Sequence, residues 1–509
     1  MLSMLCSGYV VAQQHNQQQI QKLNYLYSYL RNNYVDELDL EPLVDEAIRA
    51  TIEELDPHSS YLTREEMANL QRRLRGEFAG VGIKYILHND TIVVRGTIPN
   101  SPAERADIRP NDRITTVNGE SVIGISSDSV RTLLRGEPKT KVNIGIARRG
   151  ESKLLNIKLQ RSTIESSAIS SAYRLGNIGY IAISAFSKPL AAEFMTAYRE
   201  LDDAEALIVD LRNNAGGAIT SAIDLTELFL SKGDVVVSTE GRTTNAVYTT
   251  KRDGILADVP IVVIINENSA SASEIFAGAI QDHDRGVIIG RTSYGKGLVQ
   301  RVVDFKDGTG LCITIARYKT PSGRIIQRPY TMGEGEEYKS DSLRYKHADS
   351  ISYAQRPQYT TLKSRRVVYG GGGITPDIYT DGGSTPLSAE LSEAYNNALF
   401  EHCAIEIFDG VSIEELRGRY PTVEAFSNEY TLSDTALGIF YESAGLRGEA
   451  LSEYDVEFVT TMLMAAMAEQ LYGDNARSYI YCTRFDLVAK RAYEVAADDS
   501  LMRDILKRD

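Results

Sequence analysis

Between residues 166 and 400, short and almost wholly apolar runs alternate with helical patterns, and no other feature restricts the fold so tightly. The runs include "IGYIAISAF", "ALIVDLRNNAGG", "VVVST" and "IVVIIN", with helical stretches from Pro189 to Leu201 and through "SAIDLTELFL". Strands and helices taking turns argue for an α/β sheet with helices on its faces. A chain of 509 residues has room for about three or four domains, so this sheet is one part of a multi-domain α/β protein.

Before it lie two other kinds of segment. Residues 17–75 are mainly helical: Ile20, Leu23, Tyr27, Leu30 and Tyr34 follow heptad-like spacing, and "LVDEAIRATIEEL" continues the pattern until Asp56-Pro57 breaks it. Such a stripe is either core or an arm that pairs with a second subunit. Residues 76–165 are strand-rich, with "FAGVGIKYIL", "TIVVRGT", "RITTVNG" and "KVNIGIARRG" around the amphipathic "SSDSVRTLLRG". This order of elements resembles a PDZ domain. The resemblance implies that the loop Gly80, Val81, Gly82 and Ile83 holds a peptide carboxylate, that the strand edge beside it accepts the peptide, and that Val130, Leu133 and Leu134 line the side-chain pocket. Residues 330–365 are polar and irregular, an expected exposed insertion. Residues 401–509 are acidic and helical with apolar faces; their role is not legible.

Composition narrows the partners. A net charge of −14 argues against nucleic acid or an anionic membrane surface. Cys6, Cys312, Cys403 and Cys482 are widely spaced without a CxxC pair, which disfavours a zinc site or a disulfide framework and leaves only a Cys403–Cys482 bridge open. The start "MLSMLCSGYVVAQQ" is apolar with a small-residue Val10-x-Ala12 pattern, so residues 1–16 are expected to be signal-like and the protein exported, to the periplasm or cell envelope. The most apolar later stretch, "FVTTMLMAAMAEQLY", contains Glu469 and fits a buried helix rather than a membrane span.

Chemistry concentrates in "IVVIINENSASASEIFAGAIQDHDRG", residues 261–286, with Ser269, Ser271 and Ser273 at alternate positions. Ser271 and Glu274 match a Ser-x-x-Glu capping box, which needs no catalysis. A strand-to-helix turn also lifts a serine to the rim of a sheet, beside the N–H groups of a helix start. Both readings stay open on this segment alone. A nucleophile needs a base, and His283 beside Asp282 is the obvious suspect. On one helix they lie roughly 16–18 Å along the axis from Ser271, whereas a base must come within about 3 Å. The histidines at 15, 58, 88, 347 and 402 sit in no partner motif.

Lysine remains. In "RTSYGKGLVQ", Lys296 stands between Gly295 and Gly297, just after the apolar run "GVIIG". Burial there lowers an amine's pKa and lets it take a serine proton. Taken alone, the segment describes a surface lysine in a glycine turn. Gln300 falls on the same face of an extended strand, where its amide oxygen could orient the amine. "DLRNNAGG" ends in Gly216 and Gly217, whose N–H groups could meet that of Ala272 on one carbonyl oxygen, or could simply form a turn.

Taken together, these segments resemble the carboxy-terminal processing (tail-specific) proteases, Ser/Lys peptidases with a PDZ domain. The resemblance runs in the family's order through "LDPHSSYLT", "GEFAGVGI", "GYIAISAF", "DLRNNAGG", "NSASASEIFAGAIQD", "SYGKGLVQ", "ARYKTPSGRIIQ" and "GGGGITPDI", over more than half of the chain. It implies a crotonase-like α/β serine protease core over 166–400, with the PDZ-like domain inserted and helical regions at both ends. It implies Ser271 as nucleophile, Lys296 as base, Gln300 as its support, and Gly217 with Ala272 as oxyanion donors. Asp282 is expected to be structural, and Ser269 and Ser273 to shape the turn. Ala215 stands where the family commonly has glycine, and Ser293 where threonine is frequent; neither removes a reacting group. No metal or other cofactor is implied. The expected partners are unfolded or tail-bearing protein substrates, with an adaptor and a homodimer through the terminal helices left open. The alternatives are a PDZ-bearing binding protein without activity and an acyl-transfer or thioester enzyme, for which no nucleotide or coenzyme motif is present.

Overall fold

The computed structural model describes residues 2–333 except 89 and 203, positions 335 and 338, and residues 355–380, 387–446 and 451–507, with side chains from residue 16 onward apart from 88, 127 and 409. Most of the expected insertion over 330–365, and the side chains of the signal-like start, lie outside the described residues. The chain divides into two compact units, 1–67 with 300–314 and 330–340, and 68–299 with 315–329 and 341–509.

In the first unit, helix Leu2–Asn33 precedes helix Leu40–Glu53, which Asp39 caps by accepting the Glu41 N–H at 3.0 Å. Part of the expected stripe, Tyr27 and Leu30, is half-buried, whereas Ile20 is 62% and Leu23 50% exposed. The helical pattern stops where Asp56 accepts the N–H groups of His58 and Ser59 at 2.9 Å, an Asx turn. Strand Ser60–Leu62 then pairs antiparallel with residues 310–312.

The second unit is organised by a six-stranded sheet, in the order Ile169–Leu175, Ile178–Ile183, Ala206–Asp210, Ile261–Ile265, Val287–Gly290, Ile378–Tyr379. Its first pair is antiparallel and the remaining pairs are parallel. Strands buried on both faces need no polar alternation, which is why the apolar runs are continuous. Ile181, Leu207, Val209, Ile261, Val263 and Ile288 point into a cluster with helices Leu190–Glu200, Ile219–Glu227 and Ala272–Asp282. Their alternates Tyr180, Ile208, Val262, Ile264 and Ile289 point the other way, into a cluster built from the C-terminal helices between 389 and 506. Each fully buried Val or Ile contributes roughly 1.5–3 kcal/mol.

The C-terminal region is thus the second cover of the sheet. Its central helix, Glu453–Tyr472, buries Val459, Met462, Leu463, Met464 and Met467, as a helix apolar all round requires. Cys403 and Cys482 are buried there as free thiols, so the bridge left open between them does not form.

Residues 77–165 form the strand-rich module, an antiparallel sheet from Ile83–His88 to Leu155–Gln160 closed by a ladder of Glu77–Gly80 with Ser162–Glu165. The ladder brings both ends of the module together, as an insertion into another domain needs. Its outer face meets the C-terminal helices through Ile86 and Val93 on Ile405 and through ion pairs Lys84–Asp474 and Arg95–Glu469.

Candidate active site

Strands Ala206–Asp210, Ile261–Ile265 and Val287–Gly290 are adjacent and parallel, so the loops that follow them leave the same edge of the sheet. Those loops carry the glycine pair, the three serines and Lys296. Neighbouring strands stand about 4.8 Å apart, and sites in such sheets gather at the carboxyl ends of the strands.

The three serines divide cleanly. Ser269 and Ser273 are 0% exposed with their hydroxyls spent: Ser269 donates to Leu211 O at 2.8 Å and Ser273 to Asn214 O at 2.9 Å. They stitch the serine turn to the loop 211–217. Ser271, by contrast, is half-buried and sits at φ +57°, ψ −112°, just ahead of helix Ala272–Asp282. A non-glycine residue held there costs on the order of 1–3 kcal/mol and persists only where its surroundings enforce it.

Glu274 is the main enforcer. Its buried carboxylate accepts the Ser271 N–H at 2.8 Å, the Lys296 N–H at 2.9 Å, the Gly295 N–H at 2.7 Å and the Ser293 hydroxyl at 2.6 Å. Burial pushes its pKa up, and the four donors pull against that shift. The expected capping residue therefore also ties the serine turn to the lysine loop. Tyr318 makes a second tie. Its hydroxyl donates to Lys296 O at 2.7 Å and lies 3.2 Å from Ser271 O, while its N–H donates to Gly297 O at 2.9 Å. Burial, reinforced by the Glu274 charge, pushes the Tyr318 pKa well up, so it stays a donor. Lys296 itself is half-buried.

The glycine pair packs against the same turn. A side chain on Gly216 would place its Cβ 2.8 Å from Ala272 N and 2.9 Å from Ser271 Cβ, and one on Gly217 2.3 Å from Phe186 O. Asn214 takes the Gly216 N–H at 2.8 Å and donates to Ile183 O at 2.8 Å. The N–H groups of Gly217 and Ala272 donate to no described residue. Gln300 lies in the other compact unit, where its amide donates to His58 O.

The helix after Ser271 runs to Asp282, so the axial separation of Asp282 and His283 from the serine is as expected. Asp282 is 0% exposed and paired with Arg324 at 2.7 Å, and His283 lies 2.8 Å from Val235 O. Neither faces the serine turn. Among the described residues no cluster of three His, Cys, Asp or Glu side chains is set to hold a metal.

In the strand-rich module, Val81 O and Gly82 O accept the N–H groups of Ala103 and Ile98, each at 2.9 Å, which turns the loop carbonyls inward. Gly80 bridges Arg135 at the end of helix Ser127–Leu134. Val81, Val130 and Leu134 belong to the module's core, with Val130 at 0% exposed; Ile83 and Leu133 are the partly exposed members of the expected pocket. Gly82 has φ +82° and its Cβ would lie 2.2 Å from Ser101 Cβ, so packing demands a glycine there whatever the loop binds.

Sequence patterns missed three supports: Glu274 as more than a cap, Tyr318, and Asn214. Only the Ser-x-x-Glu spacing hinted at the first.

Residues 177–332 match the family model "Peptidase family S41" and residues 93–148 a PDZ domain model. The chain is 36% identical to a carboxy-terminal-processing protease of Bartonella bacilliformis, over 62% of this chain and 74% of that protein. It is 35% identical to a Staphylococcus aureus protein named "Probable CtpA-like serine protease", over 61% of this chain and 63% of that one, just under two thirds of its length. A solved structure, a photosystem II D1 C-terminal processing protease, is similar at 26% identity with a TM-score of 0.37, over 72% of this chain and 88% of that one.

Proposed function

The chain belongs to peptidase family S41, with the carboxy-terminal-processing proteases, and is a serine-type peptidase; we propose that it captures apolar C-terminal tails and cuts the polypeptide with a Ser271–Lys296 dyad. The Lys296 amine takes the Ser271 proton as Oγ attacks the scissile carbonyl carbon. The oxyanion that forms accepts from Gly217 N–H and Ala272 N–H. Collapse breaks the C–N bond, the Lys296 ammonium protonates the leaving amine, and an ester remains on Ser271. Water, deprotonated by Lys296, then attacks the ester; the second tetrahedral adduct expels Ser271, which recovers the proton.

One observation carries this reading. Of three alternate serines, only Ser271 keeps a partly exposed side chain, in an enforced left-handed turn whose backbone shares Glu274 with that of Lys296. Gln300 is proposed to orient the amine, by the family resemblance. A crotonase-like core is likewise proposed, supported by the parallel sheet and its strand-end site.

For the PDZ domain, the proposed ligand is the free carboxylate of an apolar tail at Gly80–Ile83, with Ile83 and Leu133 beside its side chains. The inward-turned carbonyls of Val81 and Gly82 support this. Unfolded or tail-bearing proteins are the proposed substrates, and an adaptor that delivers them is compatible with that reading. The exposed Ile20 and Leu23 would suit a homodimer arm. No described helix is long and apolar enough to cross a membrane; a place in the bacterial envelope or periplasm is part of the proposal, supported by the bacterial relatives.

The test is cleavage of an unfolded protein ending in an apolar tail. Wild type should degrade it and Ser271→Ala should not, and amidating the tail should slow wild type. Cleavage retained by Ser271→Ala contradicts the dyad; indifference to amidation contradicts the tail site.

A further inference from the structure

The loop bearing Gly216 and Gly217 is rooted in a buried charge cluster, and one member of that cluster comes from the C-terminal helices. Arg212 grips both oxygens of Asp210, with Nε at 2.9 and 3.1 Å and Nη2 at 2.6 Å. Asp210 also accepts the Tyr180 hydroxyl at 2.6 Å. The remaining edge of the guanidinium, Nη1, lies 2.6 Å from Oδ2 of Asp486. Asp210 is 6% and Asp486 4% exposed.

Asp486 does two things at once. Its Oδ1 caps helix Leu487–Ala497, accepting the Val488 and Ala489 N–H groups at 3.0 Å each. A cap needs only a neutral acceptor, and Asn or Ser would serve equally well. The carboxylate adds a second, charged oxygen, and that oxygen faces Arg212. Two carboxylates to one guanidinium is an uneven set for a buried site, but the helix N-terminus offsets the extra charge on Asp486. Burial works against the cation on Arg212, while Asp210 and Asp486 outweigh it and hold its pKa well up.

What Arg212 holds matters for the chemistry. Asn213 follows it at φ +59°, then Asn214, whose side chain fixes Gly216 N–H and whose carbonyl accepts the Ala270 N–H at 3.0 Å and the Ser273 hydroxyl at 2.9 Å. The segment from Arg212 to Gly217 is short and stitched to the serine turn, so rotation of its root is passed to the Gly217 N–H. Oxyanion donors are effective only when aimed in advance, and a misplacement of about 1 Å can cost on the order of a hundredfold.

We infer that Asp486, from the C-terminal helices, is a positioning residue for peptide hydrolysis: through Arg212 it holds the oxyanion loop so that Gly217 N–H meets the developing oxyanion. This rests on the Ser271–Lys296 reading. It gives the C-terminal region a part in the reaction, where its sequence announced only acidic helices with apolar faces.

The experiment separates charge from cap, using the full chain with active sites counted by a fluorophosphonate. Asp486→Asn keeps an acceptor for Val488 and Ala489 but removes the charge toward Arg212. Asp486→Ser does the same with a smaller side chain and stands in if the amide variant folds poorly. Asp498→Asn is the matched control, since Asp498 caps the next helix, Asp499–Leu506, by accepting the Leu501 N–H at 3.0 Å and is itself exposed. Asp486→Asn should lower kcat about tenfold with KM unchanged, and weaken a peptide boronate, which mimics the tetrahedral adduct, by the same factor. Asp498→Asn should stay within about twofold of wild type. A kcat for Asp486→Asn within about twofold of wild type, a change in KM alone, or equal losses in both variants would overturn the inference. Ser271→Ala, run in parallel, judges the dyad separately: full activity there refutes the dyad, whatever Asp486 does.

Discussion

Both faces of the central sheet are apolar and covered by helices, yet only one side announces its purpose. Ile181, Val209 and Val263 face helices that begin just after the serine turn and the glycine loop; Tyr180, Ile208 and Val262 face the C-terminal helices. On the first side, residue types with few substitutes stand at turns: serine, a glycine-flanked lysine, a glycine pair. On the second, Asp486 apart, almost any apolar residue of the right volume would serve. Catalysis constrains identity and packing constrains volume, and only the former leaves a motif.

Substitutions can break or sharpen that contrast. The largest effect is expected on the catalytic side, from Glu274→Gln. It replaces a four-donor acceptor by an amide whose own N–H groups face donors. Each donor left unsatisfied costs about 1–3 kcal/mol, and turnover should fall on the order of a hundredfold or more, measured per titrated site. A variant with wild-type kcat would show that Glu274 is only a cap.

Leu463→Ala on the opposite side should do the reverse. Leu463 is 0% exposed in the helix Glu453–Tyr472. Truncation should cost about 2–5 kcal/mol in denaturant unfolding, with kcat per folded site within about twofold of wild type. A large kcat loss at unchanged stability would erase the distinction between the faces.

Tyr318→Phe is subtler. It keeps the ring and removes only the hydroxyl shared by Lys296 O and Ser271 O. A net hydrogen bond is worth about 0.5–1.5 kcal/mol, so stability should barely move while kcat falls about tenfold at constant KM. An unchanged kcat would show that the Tyr318 hydroxyl is not needed to hold the lysine loop on the serine turn.

The smallest signal is chemical. Burial pushes the thiol of Cys403 up to about 12 and that of Cys482 to about 11. Both thiols stay protonated at pH 8 and should resist iodoacetamide in the native protein, reacting only on unfolding. Rapid native labelling of either would show that the C-terminal cover opens.

Legibility in the sequence followed the same division. The strand and helix alternation marked the sheet because its strands are continuous runs such as "IVVIIN". Ser271 and Lys296 stood out because glycines and small residues crowd around them, and a 1.5 Å rise per residue was enough to set His283 aside. Tyr318 was invisible: a tyrosine in a strand looks like any other, and its hydroxyl reaches partners 22 and 47 positions away. Asp486 carries no motif in the sequence, and its reach to Arg212 spans contacts far apart in the chain. The C-terminal helices were legible as helices, but which surface they cover depends on contacts that no local pattern encodes. The PDZ resemblance implies Val130 as pocket lining, but a resemblance gives a residue's place on the helix and not its depth; Val130 is fully buried.

The proposed base for Ser271 is Lys296 rather than His283. Intact-protein mass spectrometry after exposure to a fluorophosphonate at pH 8 tests this directly, comparing wild type, Ser271→Ala, Lys296→Ala and His283→Ala. Wild type and His283→Ala should each gain one adduct, mapped by peptide to Ser271, while Ser271→Ala and Lys296→Ala should gain none. An adduct on Lys296→Ala at the wild-type rate, or its loss in a folded His283→Ala, would contradict the account.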